Sequence, residues 1–418
     1  MKIQSKNKKR IVFILTRKFW PTNSGHDVVL YNYCKCLHEL FNYEIYVYYF
    51  SNNKLENDKP EFIKEVKKAT KISVFSNLKN IILKTFLFNN WPLQMALYEN
   101  KYCFDEIKKY CIDIEPTAVY FDMVRLSMYK NAVASEIKKI LMMDDLLSKR
   151  YYRQMSNKSN GNILGYYSKI VPKHVSKLFN SNFFKNIILG FEAKRMKYWE
   201  KKCCFDFDYV TLVSQIEVKA LKEKIKKDNI ICVPMVVDYN NFIGKPNILS
   251  NDLVFVGNFS YAPNVDSLAY IIDEVFPYIK NKVNLNVIGF CPEIIKRKYS
   301  NKPFVNFCGR VENLKDTVQS SLIFLAPIVY GTGIKTKIIE AMAMGMPVIT
   351  NEIGAEGIYA KRDVAFIVRE NAKEIALEVD KLIENKKLCL EIGKNAMEYI
   401  DKNHNWKNMY DAFIKLDM

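Results

Sequence analysis

The chain has 418 residues, of which 49% are hydrophobic and 13% aromatic; this suffices for two packed domains and excludes general disorder. It carries 63 Lys and Arg against 45 Asp and Glu, a net charge of +18 that calls for an acidic partner or surface. No apolar run reaches the ~20 residues of a membrane span, and the basic start of the chain precedes no long apolar region, so we expect neither a transmembrane helix nor export.

The first half of the chain alternates strand-like and helix-like runs, which predicts a parallel sheet with crossover helices. The predicted elements are the strand Ile11–Thr16, the helix Asp27–Leu40 and the strands Glu44–Phe50, Ala118–Phe121, Lys139–Met143 and Tyr209–Val213. Ligands of such sheets bind beyond the carboxyl ends of the strands. The loops Arg17–Gly25 and Asp144–Ser148 are therefore candidate binding loops.

Residues 149–202 form a basic segment with interleaved aromatic and aliphatic residues. It contains thirteen Lys and Arg against only Glu192 and Glu200. Such a segment fits an anionic membrane surface. The alternatives are an ordinary solvated basic face or a nucleic-acid groove. Because no zinc finger, RRM signature or helix-turn-helix pattern occurs, we expect no nucleic-acid partner.

The cysteines and histidines do not predict a metal site. The ten cysteines are scattered, and the four histidines, His26, His38, His174 and His404, never pair at ligand spacing. We therefore expect no metal and no cofactor, and we interpret the histidines as structural.

A second α/β region follows the stretch Asp238–Asn251, which has no periodicity and contains Gly244 and Pro246. Helical patterns there separate four predicted strands: Leu253–Val256, Leu285–Ile288, Val305–Phe307 and Leu322–Leu325. The sequence thus predicts an α/β protein with two Rossmann-like, doubly wound domains.

The most informative stretch is Leu322–Thr350, which predicts a strand, a glycine loop, a helix ending at Gly345 and a second strand. Lys335 and Lys337 fall in the first helical turn, where acidic residues are usual, so an anion such as a phosphate is expected among them. Glu340, one turn further, can accept hydrogen bonds from vicinal hydroxyls. The alternative is a solvated surface helix whose Glu340 pairs with Lys337 or Thr336.

The string from Gly331 through Lys337, Glu340 and Gly345 to Pro347-Val348 and Gly354 resembles the donor-binding motif of the group 1 (family 4) glycosyltransferases, which have the two-domain GT-B fold. The segments VFVGNFSYAPN, LNVIG and VNFCGRVEN occur in the expected order. The resemblance implies a donor site formed by these residues: Gly257, Asn258, Gly309, Arg310, Gly331, Thr332, Gly333, Ile334, Lys335, Lys337 and Glu340.

Three positions depart from the family pattern. Thr332 stands where many relatives have the first carboxylate of a Glu pair, and Asn258 stands where many have an arginine. Lys335 or Lys337 can supply the missing positive charge. Asp144 occupies the place of a histidine that lies near the sugar in relatives; a carboxylate at a strand end can also orient sugar hydroxyls.

The resemblance implies transfer of a sugar from a nucleoside-diphosphate donor to a saccharide or lipid-linked saccharide acceptor in surface polysaccharide synthesis. It implies retention of configuration without a metal, with Asp144 and Lys335 as catalytic residues. Ser24 and Gly25 would form the acceptor loop, although Gly25 is equally suited to a plain turn. The alternatives are a non-catalytic nucleotide-sugar-binding scaffold and a nucleotide-sugar epimerase of the same fold.

The implied domains are an acceptor-binding domain at 1–243, with 149–202 as a basic insertion, and a donor-binding domain at 244–395. A crossover helix at 396–418 is expected to pack back on the first domain. The implied location is the cytoplasm, with peripheral contact to the anionic inner face of the cell membrane.

Overall fold

The computed structural model describes residues 8–22, 24–51, 58–69, 83–85, 91–156, 182–238 and 242–418, without the side chains of 182–185. Within these residues the chain forms two compact units. Unit 1 comprises Met1–Tyr152, Ile187–Pro234 and Met409–Met418, and unit 2 comprises Arg153–Asn186 and Met235–Asn408. Residues 157–181, the middle of the predicted basic insertion at 149–202, lie outside the described residues.

Unit 1 contains one parallel sheet and its crossover helices. In chain order its elements are β1 (Arg10–Leu15), α1 (Gly25–Glu39), β2 (Glu44–Tyr49), β3 (Ile63–Lys68), α2 (Leu93–Tyr98), α3 (Lys101–Ile114), β4 (Ala118–Asp122), a 3₁₀ helix (Val124–Ala132), β5 (Lys138–Asp144), α4 (Leu147–Ser156), α5 (Asn182–Asp206), β6 (Tyr209–Leu212), α6 (Gln215–Ile225) and β7 (Ile230–Cys232).

The described strands of unit 1 are ordered β3-β2-β1-β4-β5-β6-β7. All neighbours are parallel, and β4 is buried along its whole length, as expected for a sheet covered by helices on both faces. The order reverses between β1 and β4. In doubly wound sheets this is where ligands bind, beyond the carboxyl ends of the strands.

Unit 2 contains the second parallel sheet. Its elements are β8 (Leu253–Val256), α7 (Ala262–Ala269), a π-helical turn (Tyr270–Val275), a 3₁₀ turn (Phe276–Tyr278), β9 (Leu285–Ile288), α8 (Glu293–Lys298), β10 (Val305–Gly309), α9 (Leu314–Gln319), β11 (Ile323–Ala326), α10 (Thr336–Ala343), β12 (Val348–Thr350), α11 (Glu352–Ala355), β13 (Ile367–Val368), α12 (Ala372–Glu384) and α13 (Lys386–Asn403).

The described strands of unit 2 are ordered β10-β9-β8-β11-β12-β13, which is the order typical of dinucleotide-binding sheets. Here the reversal lies between β8 and β11. Helix α10 ends as predicted, because Gly345 has a φ of 72° and its amide donates to the Met342 carbonyl over 3.1 Å. The two doubly wound sheets confirm the predicted α/β fold class.

The chain passes from unit 1 to unit 2 at Pro234 and Met235, nine residues before the predicted boundary at 243. The reason is local to unit 2. The amide of Val237 donates to the His404 carbonyl over 3.0 Å, and the buried His404 ring contacts the Met235 carbonyl over 3.0 Å. These bonds tie the first residues after β7 to the end of α13.

The segment 396–418, predicted as one crossover helix, contains parts of two helices, because the helix is interrupted at His404 and Asn405. The second, α14 (Trp406–Ile414), follows Asn405, whose side chain accepts a hydrogen bond from the Asn408 amide over 3.0 Å. Only Met409–Met418 belongs to unit 1. There Phe413 packs edge-on against Tyr33, and Tyr410 stacks on Phe41.

None of the described helices is long and apolar enough to cross a lipid bilayer.

Candidate active site

The strand reversal in unit 2 brings two loops of the predicted donor motif to neighbouring strand ends. Gly257 and Asn258 follow β8, and the glycine loop that begins at Gly331 follows β11. Polar contacts fix the start of the second loop: the Asn351 side chain accepts from the Ile328 amide over 3.0 Å and donates to the Ile328 carbonyl over 2.9 Å.

The glycine loop turns sharply before α10. Gly331 and Gly333 have φ angles of 156° and 67°, conformations that other residues rarely adopt. Thr332 between them is buried and Ile334 is half-buried. The loop therefore presents backbone rather than large side chains at the mouth of the helix.

Lys335 was predicted in the first turn of α10, but it is the N-cap residue, one position before the first turn. Its ammonium group donates to the carbonyl of Gly333 over 2.5 Å, so the side chain folds back over the glycine loop. Lys337 alone lies in the first turn, and this turn contains no acidic residue. The helix start thus keeps its positive end without a carboxylate in its first turn.

Lys337 reaches from α10 to the end of β8. Its Nζ donates to Oδ1 of Asn264 over 2.6 Å and lies 4.7 Å from the centre of the Phe255 ring. A methyl group placed at Gly257 would lie 3.3 Å from the same Nζ. The ammonium group therefore lies beside Gly257. The next residue, Asn258, stands where the family pattern has an arginine.

The charges of this site are desolvated. Burial lowers the pKa of Lys337 to about 7, against the opposing effect of Glu340. Burial likewise raises the pKa of Glu340, against the effect of Lys337. An anion placed beside Lys337 would favour its charged form, and the Glu340 carboxyl group three residues along the helix can meet a hydroxyl-bearing ligand.

Gly309 and Arg310 lie apart from this cluster in the sheet. They follow β10, the edge strand, two strands away from β8. The Gly309 carbonyl accepts from the Gly289 amide over 2.7 Å, and the exposed Arg310 guanidinium lies 5.9 Å from the Phe290 ring centre. The sequence prediction includes these two residues in the donor site together with the lysines, and the structure places them at the end of the edge strand.

In unit 1, Ser24 and Gly25 begin helix α1. The hydroxyl of Ser24 accepts a hydrogen bond from the Asp27 amide over 3.3 Å and from the Arg17 guanidinium over 3.0 Å. Ser24 is thus the helix cap, held in an exposed ion-paired corner where Arg17 lies 3.1 Å from Asp27. Gly25 needs no special backbone conformation here.

The next residue, His26, lies between two carboxylates. Its Nε2 is 2.9 Å from Oδ1 of Asp122 at the end of β4, and its Nδ1 is 3.1 Å from Oδ2 of Asp144 at the end of β5. Neither contact has hydrogen-bond geometry, so both are close ion pairs. The second oxygen of Asp122 accepts from the Thr16 hydroxyl over 2.5 Å and from the Thr16 amide over 3.0 Å.

The two carboxylates hold His26 in its charged form. Burial lowers the pKa of His26, but Asp122 and Asp144 outweigh this effect and raise the pKa from 6.5 to about 10. Burial would raise the pKa of Asp122, yet His26 and Thr16 lower it well below its ordinary range. The side chains of His26 and Asp144 remain 13% and 20% exposed, so a ligand can reach them.

Backbone strain accompanies this array. Met123 has a φ of 65° and a ψ of 159°, a conformation otherwise almost restricted to glycine, and Asp144 has a φ of 65°. The β5–β6 register also shifts between Met142 and Asp144. Such strain costs about 1–3 kcal/mol per residue and clusters at functional sites. It turns the ends of β4 and β5 so that both carboxylates meet the same imidazole.

The sequence analysis grouped His26 with the structural histidines and did not single out Asp122, whereas the structure places His26 between Asp122 and Asp144. A signal was present, since Asp122 directly follows the buried run Ala118–Phe121 at a predicted strand end. The order of the strands, which places β4 between β1 and β5, was not available from the sequence. Among the described residues, no three His, Cys, Asp or Glu side chains are grouped so that they could hold a metal ion.

Residues 250–385 match the family model of the group 1 glycosyl transferases. An uncharacterised 44.6 kDa protein from the cps region of Klebsiella pneumoniae is 23% identical over 252 residues, 57% of this chain and 64% of that protein. The N,N'-diacetylbacillosaminyl-diphospho-undecaprenol alpha-1,3-N-acetylgalactosaminyltransferase of Campylobacter jejuni is 26% identical over 148 residues, 33% of this chain and 39% of that protein. The chain thus matches less than two thirds of the length of these relatives.

Solved structures resemble the chain over nearly its whole length. Sucrose-phosphate synthase from Thermosynechococcus elongatus superposes with a TM-score of 0.70 at 12% identity, covering 98% of both chains. Anabaena HepE, solved in complex with UDP and glucose, superposes with a TM-score of 0.59 at 12% identity, covering 97% of this chain and 98% of that chain. Residues 250–385 are thus similar to the group 1 glycosyl transferases, and by its two sheets and its superposition on these structures the chain has the GT-B fold.

Proposed function

We propose that the protein transfers a sugar from a nucleoside-diphosphate donor to a saccharide or lipid-linked saccharide acceptor. The observation that carries this proposal is the Lys337 ammonium group, desolvated beside Gly257 at the strand reversal of unit 2. A half-buried cation at a helix start and a carboxyl group one turn away match the two halves of a nucleotide sugar, its diphosphate and its hydroxyls.

The donor chemistry follows from this arrangement. Lys335, Lys337 and the first amides of α10 would stabilise the negative charge on the departing diphosphate, the role that a metal plays in other glycosyltransferases. We therefore propose a reaction without a metal ion. Retention of configuration, with acceptor attack on the face that the diphosphate leaves, is proposed from the family resemblance.

On the unit 1 side, we propose that Asp144 binds saccharide hydroxyls. Its carboxylate is positioned by the His26 imidazolium, which Asp122 and Thr16 hold in turn. A carboxylate fixed by one charged neighbour and still partly exposed suits the binding of hydroxyl groups. His26 thereby joins the predicted residues Asp144 and Ser24-Gly25 at this sheet edge.

The setting is proposed from the relatives. The Klebsiella protein is encoded in a cps region, and the Campylobacter enzyme is named for a diphospho-undecaprenol-linked acceptor. We propose surface polysaccharide synthesis in the cytoplasm, at the inner face of the membrane, with UDP among the nucleotides to test first because HepE was solved with UDP.

Calorimetry with a panel of nucleoside diphosphates, without added metal, tests the donor site. One nucleotide should bind, and Glu340→Ala should weaken its binding by about 1–3 kcal/mol. Glu384→Ala, an exposed carboxylate at the end of α12, is the control and should change nothing. If no nucleotide binds, or if both variants behave alike, the site assignment fails.

A nucleotide-binding scaffold is the second candidate, because Thr332 offers a buried hydroxyl where many relatives have a carboxylate. Release of the nucleoside diphosphate from a bound nucleotide sugar in the presence of saccharide acceptors favours the transferase. Binding without release favours the scaffold. Conversion of the nucleotide sugar without an acceptor would favour an epimerase.

A further inference from the structure

Helix α5 carries four large apolar side chains on its exposed side. Ile187, Phe191, Tyr198 and Phe205 are 40%, 59%, 60% and 62% exposed. At 3.6 residues per turn these residues lie within about 40° of one another around the helix and span about 27 Å along it. We call this row the α5 stripe. Exposed aromatic rows of this length are unusual on a protein that has no partner.

Two of the three acidic residues of the helix, Glu192 and Glu200, lie on the opposite, buried side. Glu192 accepts hydrogen bonds from the amides of Leu93 and Gln94 over 2.8 and 3.2 Å, at the start of α2. Glu200 accepts from the amide and hydroxyl of Ser148 over 2.9 and 2.5 Å, at the start of α4. Both carboxyl groups therefore serve as caps of other helices and add no negative charge to the exposed side.

Basic residues flank the α5 stripe on both sides. Lys194, Lys197 and Lys201 are exposed along one flank, and Arg195 and Lys202 are half-buried along the other. The Arg195 guanidinium lies 5.8 Å from the centre of the Phe191 ring. From Asn186 to Lys202, the described side chains on the exposed side of the helix thus carry positive charge only.

The first acidic side chain beyond that stretch is already paired. Asp206, at the end of α5, lies 3.0 Å from Lys130 and 3.7 Å from Lys202. Phe205 beside it is approached by another cation, since Lys227 lies 5.4 Å from the centre of its ring. The positive potential therefore extends along the whole stripe.

We propose that the α5 stripe is a docking surface for an anionic lipid bilayer, with its aromatic rings among the headgroups and its lysines on the lipid phosphates. A row of large apolar side chains between two rows of basic residues is the pattern of interfacial helices. A second copy of the chain fits less well, because stripe-to-stripe contact would bring like charges together. The inference deepens the proposed function, since a lipid-linked acceptor is presented at such a surface.

Sedimentation of the full chain with vesicles tests the surface without any assay of sugar transfer, so that either proposal can fail alone. The wild type should bind vesicles of phosphatidylcholine mixed with phosphatidylglycerol and should bind phosphatidylcholine alone much more weakly. Phe191→Gln combined with Phe205→Gln should reduce binding to the anionic vesicles at least tenfold. Glutamine favours helix and replaces only exposed rings, so the thermal midpoint should not change.

Charge variants test the lysine rows. Lys194→Glu and Lys201→Glu should each weaken binding about fivefold or more, because each basic residue near anionic lipid contributes about a fivefold gain. The matched controls lie in unit 2: Ile294→Gln, which removes a 78% exposed side chain, and Lys387→Glu. Neither control should affect vesicle binding.

Three outcomes would overturn the proposal. The first is wild-type binding that is equal for anionic and neutral vesicles, or vesicle binding that neither the glutamine nor the glutamate variants reduce. The second is a lowered thermal midpoint in the glutamine variant with unchanged vesicle binding, which would mean that the two rings stabilise the fold and do not contact lipid. The third is a wild-type dimer in sedimentation equilibrium that becomes a monomer in the α5 variants, which would mean that the stripe binds a second copy of the chain.

Discussion

The two strand reversals of the molecule carry opposite charge balances. At the reversal of unit 2, two lysines accompany one carboxyl group, and burial lowers the pKa of Lys337. At the reversal of unit 1, one imidazole lies between two carboxylates, and these raise the pKa of His26 to about 10. We therefore propose that the same topological position binds an anion in one sheet and neutral, hydroxyl-bearing groups in the other.

The comparison shows that topology supplies a place for a ligand, while a few side chains decide its charge. Lys337 is held by neutral groups, the Asn264 amide and the Phe255 ring, and its carboxyl neighbour is itself desolvated. A phosphate beside Lys337 would therefore stabilise the charged form of its side chain. His26 already has two carboxylates, so an additional anion would meet net negative charge.

The largest expected effect concerns the unit 1 array. His26→Gln leaves Asp122 and Asp144 without their cation and should reduce the free energy of unfolding by about 3 kcal/mol. Denaturant unfolding measures this change. His38→Gln on the same helix removes a half-buried ring without carboxylate partners and should cost much less. Equal losses in the two variants would show that the carboxylates are unimportant.

The pH dependence sharpens this prediction. Because the pKa of His26 is raised by folding, its stabilising effect is complete below 6.5 and is lost as the pH rises toward about 10. The stability difference between the wild type and His26→Gln should therefore shrink between pH 6.5 and pH 10. A difference that stays constant over this range would mean that His26 is not held as an imidazolium.

A smaller effect is expected at the unit 2 reversal. Lys337→Met keeps the length of the side chain but removes the ammonium group, and it should weaken nucleotide binding by about 2 kcal/mol, or about thirtyfold. Calorimetry measures the change, with Lys387→Met as the control. Binding that is indifferent to Lys337 would end the analogy between this lysine and the arginine of relatives.

The smallest effect is a rescue of that loss. Asn258→Arg places an arginine at the position where relatives have one, beside the site that Lys337 Nζ occupies in the wild type. In the Lys337→Met background it should recover about threefold in nucleotide affinity, while in the wild type it should have little benefit because two cations would share one site. Equal gains in both backgrounds would indicate two independent phosphate contacts.

Much of the fold could be predicted from the sequence, because buried parallel strands leave continuous apolar runs. Leu253–Val256 and Leu285–Ile288 were predicted at their observed limits. The break between α13 and α14 could not be predicted, because it depends on the contact of the His404 ring with Met235, a residue distant in the chain. A periodic apolar pattern continues through such a break.

The sites were predictable only where their residues are close in sequence. Lys337 and Glu340 lie on one short helix, and their spacing indicates their proximity. The contact of Lys337 with Asn264, and the meeting of His26 with Asp122 and Asp144, depend on the strand order. These side chains come from elements that are distant in the chain, so no local sequence pattern predicts that they meet.

We propose above all that the strand reversal of unit 2 binds an anion. The most direct test is the pH dependence of nucleotide-sugar binding to the wild type and to Lys337→Met. The diphosphate of a nucleotide sugar does not titrate near neutral pH, so a change of affinity reports on the protein. Burial lowers the pKa of the free lysine to about 7, and a bound diphosphate raises it again. We predict that wild-type affinity falls more steeply above pH 7 than the affinity of Lys337→Met, in which Glu340 still titrates but the lysine is absent. Parallel pH profiles in the two proteins would contradict it.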